Sequence, residues 1–483
     1  MNKGVILAII FTVFLSCFFG YKLLDVPRGL TLDEASFGYN AALLAQTARD
    51  ENGRFLPLFV LSSGGKDWRQ PVTQYYLTGL FRVFGSSVFL LRFSSVIIVV
   101  GSIIALYFFT KSLLGIVGAV AASGVMAMTP AIMIQSHMAL DNIMPIPFTI
   151  FWLWLMKAYL RYRENKWVMA IGIVLGMSLY TYKGMRPVVL IWLVLSALML
   201  LVEARSVREA LKKWMCLGIS VAPFFLAIPL IEKYYPGAMM GGTKIVFNNV
   251  YEFLQPYLSS FDISYLFVSG DLLSIHSTGI HGMYLLASAP WFVLGIYRVI
   301  RKGERFWIYL LLAFFFGPLF FGLVGSVHRF SRLMMMVPLY SLVCGFGVSW
   351  VWSQKSQVWK LVVMGGLLIM VINFGDFLRS YRKTYPGVTE SITGTMNYYK
   401  DFERLAKVSA DRNSEAVIHE QVAGGTGESG KFFQIIYFGK LLRVVSDESP
   451  PKTGEVLISP RDEIEGSKVI PGAVQFDIFV PKD

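Results

Sequence analysis

Long apolar runs dominate the chain, and polar residues are confined to short clusters between them. Each run is close to the length that crosses about 30 Å of hydrocarbon as a helix. They fall at 4–24, 89–110, 115–135, 144–160, 167–182, 187–202, 214–231, 284–297, 306–324, 333–352 and 359–375. The pattern predicts a mostly α, polytopic membrane protein with about eleven transmembrane helices. The first run opens MNKGVILAII in the manner of a signal peptide. No convincing small-x-small cleavage site precedes Asp25, so it is read as an uncleaved span.

With Lys3 cytoplasmic, the segments at Lys111, 161–166, 203–213, 297–305 and 353–360 share its side. They hold about fourteen Lys and Arg, as the positive-inside rule requires. The N-terminus is then cytoplasmic, at the plasma (inner) membrane. The segments 25–88 and 232–283, the short loops 136–143, 183–187 and 325–332, and the tail are extracytoplasmic. Within 25–88, Phe37, Ala41, Leu44, Ala45 and Ala48 share one helical stripe, and QPVTQYYLTGLFRVFG opens on Pro71, so two interfacial helices are expected there. Past 376 the hydrophobicity drops, and AVIHEQV, EVLISP and VQFDIFV alternate with polar turns. The expected division is a transmembrane domain over 1–375 and a small soluble α/β domain over 376–483.

Composition agrees: 55% of residues are hydrophobic, 16% are charged and mean hydropathy is +0.56, which excludes a chain whose main solvent is water. The net charge of +13 lies mostly between apolar runs. It therefore reports topology, and nucleic acid is not an expected partner. Cys17, Cys216 and Cys344 each sit inside an apolar run, which indicates neither a disulfide framework nor a CxxC site.

Candidate chemistry lies in the extracytoplasmic loops. Asp33 and Glu34 in GLTLDEASFGYNA are adjacent carboxylates just beyond the first span. One reading is a T-x-x-E capping box from Thr31 to Glu34; the other is a catalytic carboxylate on a rigid helix start, and the two are compatible. Asp141 is the acid of the loop before the fourth span, and His137 precedes it by one helical turn. This is either a wet loop or a base beside a carboxylate. Lys183 and Arg186, then His328, Arg329 and Arg332, place positive charge on the side that the positive-inside rule disfavours. Such cations suit an anionic partner, phosphate above all, or else pair with lipid headgroups or with the acids just named. Arg329 and Arg332 are three apart and would share a helix face.

The ordered series TLDEASFGYNAALLAQTARDENGRFLPLF, FGSSVFLLRFSS, SHMALDN, SLYTYKGMRPV and SGDLLSIHSTGIHGMYLLASAP resembles the bacterial relatives of dolichyl-phosphate-mannose protein mannosyltransferases and lipid A aminoarabinose transferases. That resemblance implies a GT-C fold and an inverting glycosyltransferase. It would move a sugar from a polyprenyl-phosphate carrier to a protein, lipid or polysaccharide acceptor on the extracytoplasmic side. It also implies Asp33 as general base, Glu34 and Asp141 as organisers of the site, and the late-loop cations as holders of the donor phosphate. His137, Asp271 and His276 are further site candidates. One departure stands out: relatives commonly have Arg before the second acid, where this chain has His137.

GTGESGKF at 425–432 has P-loop spacing, but Phe432 stands where a magnesium-binding Ser or Thr is needed. His276 and His281 are not spaced for one helix face. No cofactor is indicated, and a divalent metal stays open. The alternative function is a lipid-linked glycan transporter or flippase, or a non-catalytic glycolipid-binding protein. Transporters tend to carry their charges near the midplane on repeated broken helices, whereas here the charges gather at one face and no repeat is evident.

Overall fold

The computed structural model describes residues 3–481 apart from 63, 66, 240, 242–246, 325–326, 394–397, 447–448, 453, 461–466 and 471–474. Helices dominate. The chain runs α1 (Lys3–Gly20), α2 (Leu32–Thr47), β1 (Val60–Ser62), β2 (Asp67–Arg69), α3 (Pro71–Phe84), α4 (Val88–Ala127), α5 (Pro130–Ser136), α6 (Pro145–Tyr162) and α7 (Asn165–Ser178). It continues through α8 (Met185–Glu203), α9 (Val207–Tyr234), α10 (Val250–Ser259), α11 (Ile263–Phe267), α12 (Ala289–Lys302), α13 (Arg305–Phe316), α14 (Met336–Trp352) and α15 (Gln357–Lys383). The C-terminal part adds α16 (Tyr385–Thr393), α17 (Tyr399–Asp411), β3 (Ala416–His419), α18 (Glu420–Phe438), β4 (Arg443–Val445), β5 (Val456–Ser459), β6 (Ser467–Ile470) and β7 (Asp477–Pro481).

Among the described residues, six segments are long and apolar enough to cross a bilayer: Val88–Ala127, Asp141–Tyr162, Met185–Glu203, Val207–Tyr234, Arg305–Val324 and Gln357–Lys383. Shorter apolar helices cover Ile9–Gly20, Asn165–Ser178 and Met336–Trp352. The chain is thus a multi-pass membrane protein. At about 1.5 Å per residue, α4 would be twice as long as the hydrocarbon is thick. It breaks at Gly115, whose φ of 73° and ψ of −169° are not helical. The run expected over 115–135 stops as a helix at Ala127, and Pro130, which has no N–H to continue it, opens the separate and fully buried α5.

Small residues let the spans approach closely, as membrane helices require when lipid competes equally for apolar surface. A Cβ on Gly345 of α14 would stand 2.8 Å from the Ala122 Cβ of α4, and one on Gly347 would stand 2.3 Å from the Trp291 carbonyl of α12. Trp152 of α6 and Trp192 of α8 stack at 4.3 Å deep in the bundle.

Both helices expected within residues 25–88 form. The apolar side of α2 meets protein, packing on α3 and α18. Phe432 of α18 lies against Gly38, where an added Cβ would be 3.0 Å from its ring, and stacks on Phe81 of α3. The P-loop-like stretch is therefore part of helix α18, bent at Gly427, with Phe432 fully buried. The C-terminal strands form one sheet in the order β4-β3-β5-β7-β6. In it β3 runs parallel to β4 and β5, and β7 antiparallel to β5 and β6. Before it, α15 continues past residue 375 to Lys383.

Candidate active site

The site is built on the start of α2. Thr31 caps the helix: its hydroxyl accepts from the Glu34 N–H at 3.1 Å, and the Glu34 carboxylate accepts from the Thr31 N–H at 3.0 Å. Successive helical residues point about 100° apart, so the two acids diverge. Asp33 faces out with its side chain 58% exposed, while Glu34 is fully buried. Glu34 Oε1 takes Arg92 Nε at 3.0 Å and the Ala139 N–H at 3.2 Å. The remaining Arg92 donors go to the carbonyls of Leu23, Pro27 and Gly29. Glu34 therefore ties the helix start to α4, the 137–141 loop and the segment after α1, and its lone pairs are committed to protein donors.

Asp33 has a different partner. Arg69 of β2 donates from Nη1 to Asp33 Oδ1 at 2.6 Å, and from Nε to Ser36 Oγ at 3.0 Å and Ser62 Oγ at 2.8 Å. Its guanidinium lies over Phe37 at 5.1 Å. Asp67, two residues before it on the same strand face, sits 3.5 Å from Arg69 and takes Lys183. Alternating charges thus run from Asp33 through Arg69 and Asp67 to Lys183.

Asp141 opens the 3-10 turn Asp141–Ile143 beside this chain, in the field of Asp33, Arg69, Lys183 and Asp67. Its carboxylate makes no hydrogen bond or ion pair among the described residues. Tyr182 completes this side, in the field of Arg332, Asp141 and Asp33. Burial pushes the phenol up to about 12.

The opposite wall is the turn Phe330–Arg332, which packs on Asp141–Ile143. Asp271 organises it, accepting from the Phe330 N–H at 2.5 Å and the Leu273 N–H at 2.8 Å. Burial raises Asp271 to about 6, with Arg329 and Arg332 nearby pulling the other way. Arg332 donates to the Val324 carbonyl at 2.5 Å, whereas the Arg329 guanidinium has no hydrogen bond or ion pair among the described residues. The shared helix face expected for these arginines is absent. Asp271 captures the Phe330 N–H, Arg329 is extended at φ −118°, and α14 begins only at Met336. His276 is buried in the field of Arg329 and Asp33, and burial lowers it to about 4.

Asp33, Asp141, Lys183, Arg329, Arg332, Asp271 and His276 are thereby brought together. Three other candidates are occupied elsewhere. Arg186 spends its donors on Gln70 Oε1 at 2.6 Å, the Met239 carbonyl at 2.7 Å and the Leu179 carbonyl at 3.3 Å. His137 lies behind Glu34, its ring nitrogens 2.9 Å from the Val26 carbonyl and 2.7 Å from that of Phe19; burial lowers it to about 4. His328 stacks on Tyr265, with Nε2 3.1 Å from Asp262 Oδ2. Among the described residues no group of three or more His, Cys, Asp or Glu is placed to hold a metal.

Sequence reasoning missed Arg69, Asp67 and Tyr182. Arg69 carried a usable signal, positive charge on the disfavoured side; Tyr182 carried none.

Residues 69–231, which include Arg69, Asp141, Tyr182 and Lys183, match the family described as dolichyl-phosphate-mannose-protein mannosyltransferase. No curated protein sequence matches the chain significantly. In fold it is similar to ArnT from Cupriavidus metallidurans in the apo state, with a TM-score of 0.56 at 12% identity, covering 99% of this chain and 98% of that one. ArnT from the same organism bound to undecaprenyl phosphate gives 0.54 at 12% identity with the same coverage. The archaeal oligosaccharyltransferase AglB from Archaeoglobus fulgidus, in complex with an inhibitory peptide and a dolichol-phosphate, gives 0.50 at 12% identity, covering 90% of this chain and 64% of that one. The chain is thus similar in sequence, across the segment that builds half of the site, to the dolichyl-phosphate-mannose-protein mannosyltransferases, and in fold along its length to ArnT.

Proposed function

We propose that the protein transfers a sugar from a polyprenyl-phosphate carrier to a hydroxyl of an extracytoplasmic acceptor, with inversion at the anomeric carbon. The observation that carries this reading is the pair of uncommitted charges: the Asp141 carboxylate and the Arg329 guanidinium lie on two turns packed together, and neither has a protein partner among the described residues. Charges held at helix ends without partners suit a ligand that brings both an anion and hydroxyls. Two proteins of similar fold bind undecaprenyl phosphate and a dolichol-phosphate, which supports a lipid carrier.

In this reading the acceptor hydroxyl attacks the anomeric carbon from the face opposite the phosphate. Its proton passes to Asp33, whose Oδ2 is left open while Arg69 holds Oδ1. The bond from the anomeric carbon to the phosphate oxygen breaks, and polyprenyl phosphate leaves with its negative charge stabilised by Arg329 and Arg332. Asp141 orients the sugar through its hydroxyls. The carrier tail descends α8 from the level of Lys183 into an apolar groove against α9, lined by Leu190, Val194, Gly218 and Phe225. Residues 376–483 form an extracytoplasmic unit.

The test is turnover by purified protein in nanodiscs, supplied separately with polyprenyl-phosphate sugars and with nucleotide sugars, and followed by mass spectrometry of released polyprenyl phosphate. Release that requires an acceptor and Asp33 supports the reading. Direct use of a nucleotide sugar, or transport without cleavage, overturns it.

A further inference from the structure

A buried chain of amides runs from the acidic turn to the late loop. Asn142, next to Asp141, donates from Nδ2 to Gln135 Oε1 at 2.9 Å. Gln135 Nε2 lies 2.8 Å from His276 Nδ1. Gln135 is fully buried and Asn142 is 2% exposed. With its oxygen taken by Asn142, Gln135 presents N–H to the imidazole, so Nδ1 accepts and the ring proton sits on Nε2. That Nε2 has no protein partner among the described residues. The charged groups acting on the ring are Arg329 from the opposite turn and Asp33 from α2, and α16 packs beside it, with the Tyr385 hydroxyl donating to the neighbouring Ile275 carbonyl. Burial and Arg329 together hold the imidazole neutral at pH 7.

We propose that Asn142 and Gln135 are positioning residues that lock His276 as its Nε2–H tautomer, and that this N–H donates to a phosphate oxygen of the lipid carrier beside Arg329. The inference rests on the polyprenyl-phosphate reading above and adds a second kind of phosphate contact. A neutral donor adds a hydrogen bond to the phosphate without adding a further positive charge beside Arg329. It also couples the position of Asp141, through Asn142, to the place where the leaving phosphate is held.

The experiment uses full-length protein in nanodiscs with ring-15N histidine and undecaprenyl phosphate as the probe. The His276 resonances are identified by their loss in His276→Gln. At pH 7 they are expected in the Nε2–H pattern, with Nε2 shifting when undecaprenyl phosphate is added. His276→Ala should weaken undecaprenyl phosphate binding by about tenfold or more, the loss expected for a hydrogen bond to a charged group. His276→Gln, which carries an amide N–H to nearly the same place, should recover most of it. Gln135→Glu offers a carboxylate to Nδ1 and should make binding more steeply pH-dependent between about pH 6 and 8 than in the wild type, where the phosphate alone titrates.

An Nδ1–H pattern in the wild type overturns the tautomer assignment. Wild-type binding that His276→Ala leaves intact overturns the phosphate contact while sparing the carrier reading. Failure of the wild type to bind undecaprenyl phosphate overturns the carrier reading, and the phosphate contact falls with it; the tautomer result stands independently.

Discussion

Arg69 holds Asp33 by one oxygen. The 2.6 Å contact from Nη1 to Oδ1 is fixed from behind by Ser36 and Ser62, which both accept from Nε, and by the Phe37 ring under the guanidinium. The grip restricts the carboxylate through Oδ1 and leaves Oδ2 without a partner among the described residues.

Asp33→Asn keeps the shape and the hydrogen bond to Arg69 but cannot take a proton near neutrality. Turnover should fall by at least about a hundredfold, the low end of what a positioned base supplies, with thermal unfolding unchanged. Arg69→Lys keeps the charge and loses the fork that spans Asp33 and the two serines, so it should lower turnover too. Near-normal turnover by Asp33→Asn would remove the base from this position.

The adjacent acid should behave in the opposite way. Glu34 and Arg92 form an ion pair with side chains 0% and 1% exposed, and removing one partner strands the other in the protein interior. Glu34→Ala should cost about 3 kcal/mol or more of stability and lower the unfolding temperature of the purified protein. A variant with wild-type stability and no turnover would instead make Glu34 a participant in the chemistry.

How much of this was readable beforehand differs by residue. The capped start of α2 follows from Thr31 and Glu34 at their spacing, and the cations at 183 and 329–332 stood out against the charge rule. Both signals are local or statistical, and both survive without a fold. Which acid of the Asp33–Glu34 pair turns inward depends on Arg92, an arginine inside an apolar run 58 residues away. The amide chain from Asn142 to His276 joins positions 141 residues apart across its second bond, and neutral amides carry no charge anomaly to mark them. The shared face expected of Arg329 and Arg332 needs a helix through both, and the short turn there is instead tied to Asp271, a residue of another loop that accepts from the Phe330 N–H.

The C-terminal part packs on α2 through α18, near a carboxyl whose ionisation opposes that packing. Glu51, hydrogen-bonded to Asn40 at 2.8 Å, is raised above the usual carboxyl range, mainly by burial and further by Glu428 of α18, with Asn40 opposing. A carboxyl raised in the docked state holds its proton more tightly there than when free. Its contribution is therefore full at pH below the free value and is lost as pH rises through the raised one. Limited proteolysis of the C-terminal unit should accelerate with rising pH, and Glu51→Gln should flatten that dependence. Gly38→Val, which drives a side chain into Phe432, should expose the unit at every pH.

Topology gives an independent check. If the alternation of basic loops sets the orientation, single cysteines at exposed positions such as Lys440 or Glu415, placed in a cysteine-free background, should label in intact cells with a membrane-impermeant maleimide. Cysteines placed at Arg208 or Lys355 should label only after lysis. The reverse pattern would invert the site and remove the argument for an extracytoplasmic acceptor.

The arginines separate binding from folding. Arg329 has no hydrogen bond or ion pair among the described residues, so Arg329→Ala breaks no direct contact there. It should raise the KM for a polyprenyl-phosphate donor by about tenfold or more, as loss of a charge-assisted phosphate contact does, with the unfolding temperature unchanged. Arg186 is the internal control. Its three contacts clamp Gln70, Leu179 and Met239, so Arg186→Ala should lower the unfolding temperature first and affect donor kinetics only through that loss. Arg332 is intermediate: among the described residues its guanidinium makes one bond, to the Val324 carbonyl, which leaves the rest of its fork to meet phosphate. Its alanine variant should show a smaller loss of stability than Arg186→Ala together with a raised KM. Measuring unfolding temperature and donor KM on the same three purified variants decides the matter, because a purely structural role for Arg329 predicts that the two quantities move together. Unchanged donor kinetics in both Arg329→Ala and Arg332→Ala would mean that the phosphate is held elsewhere.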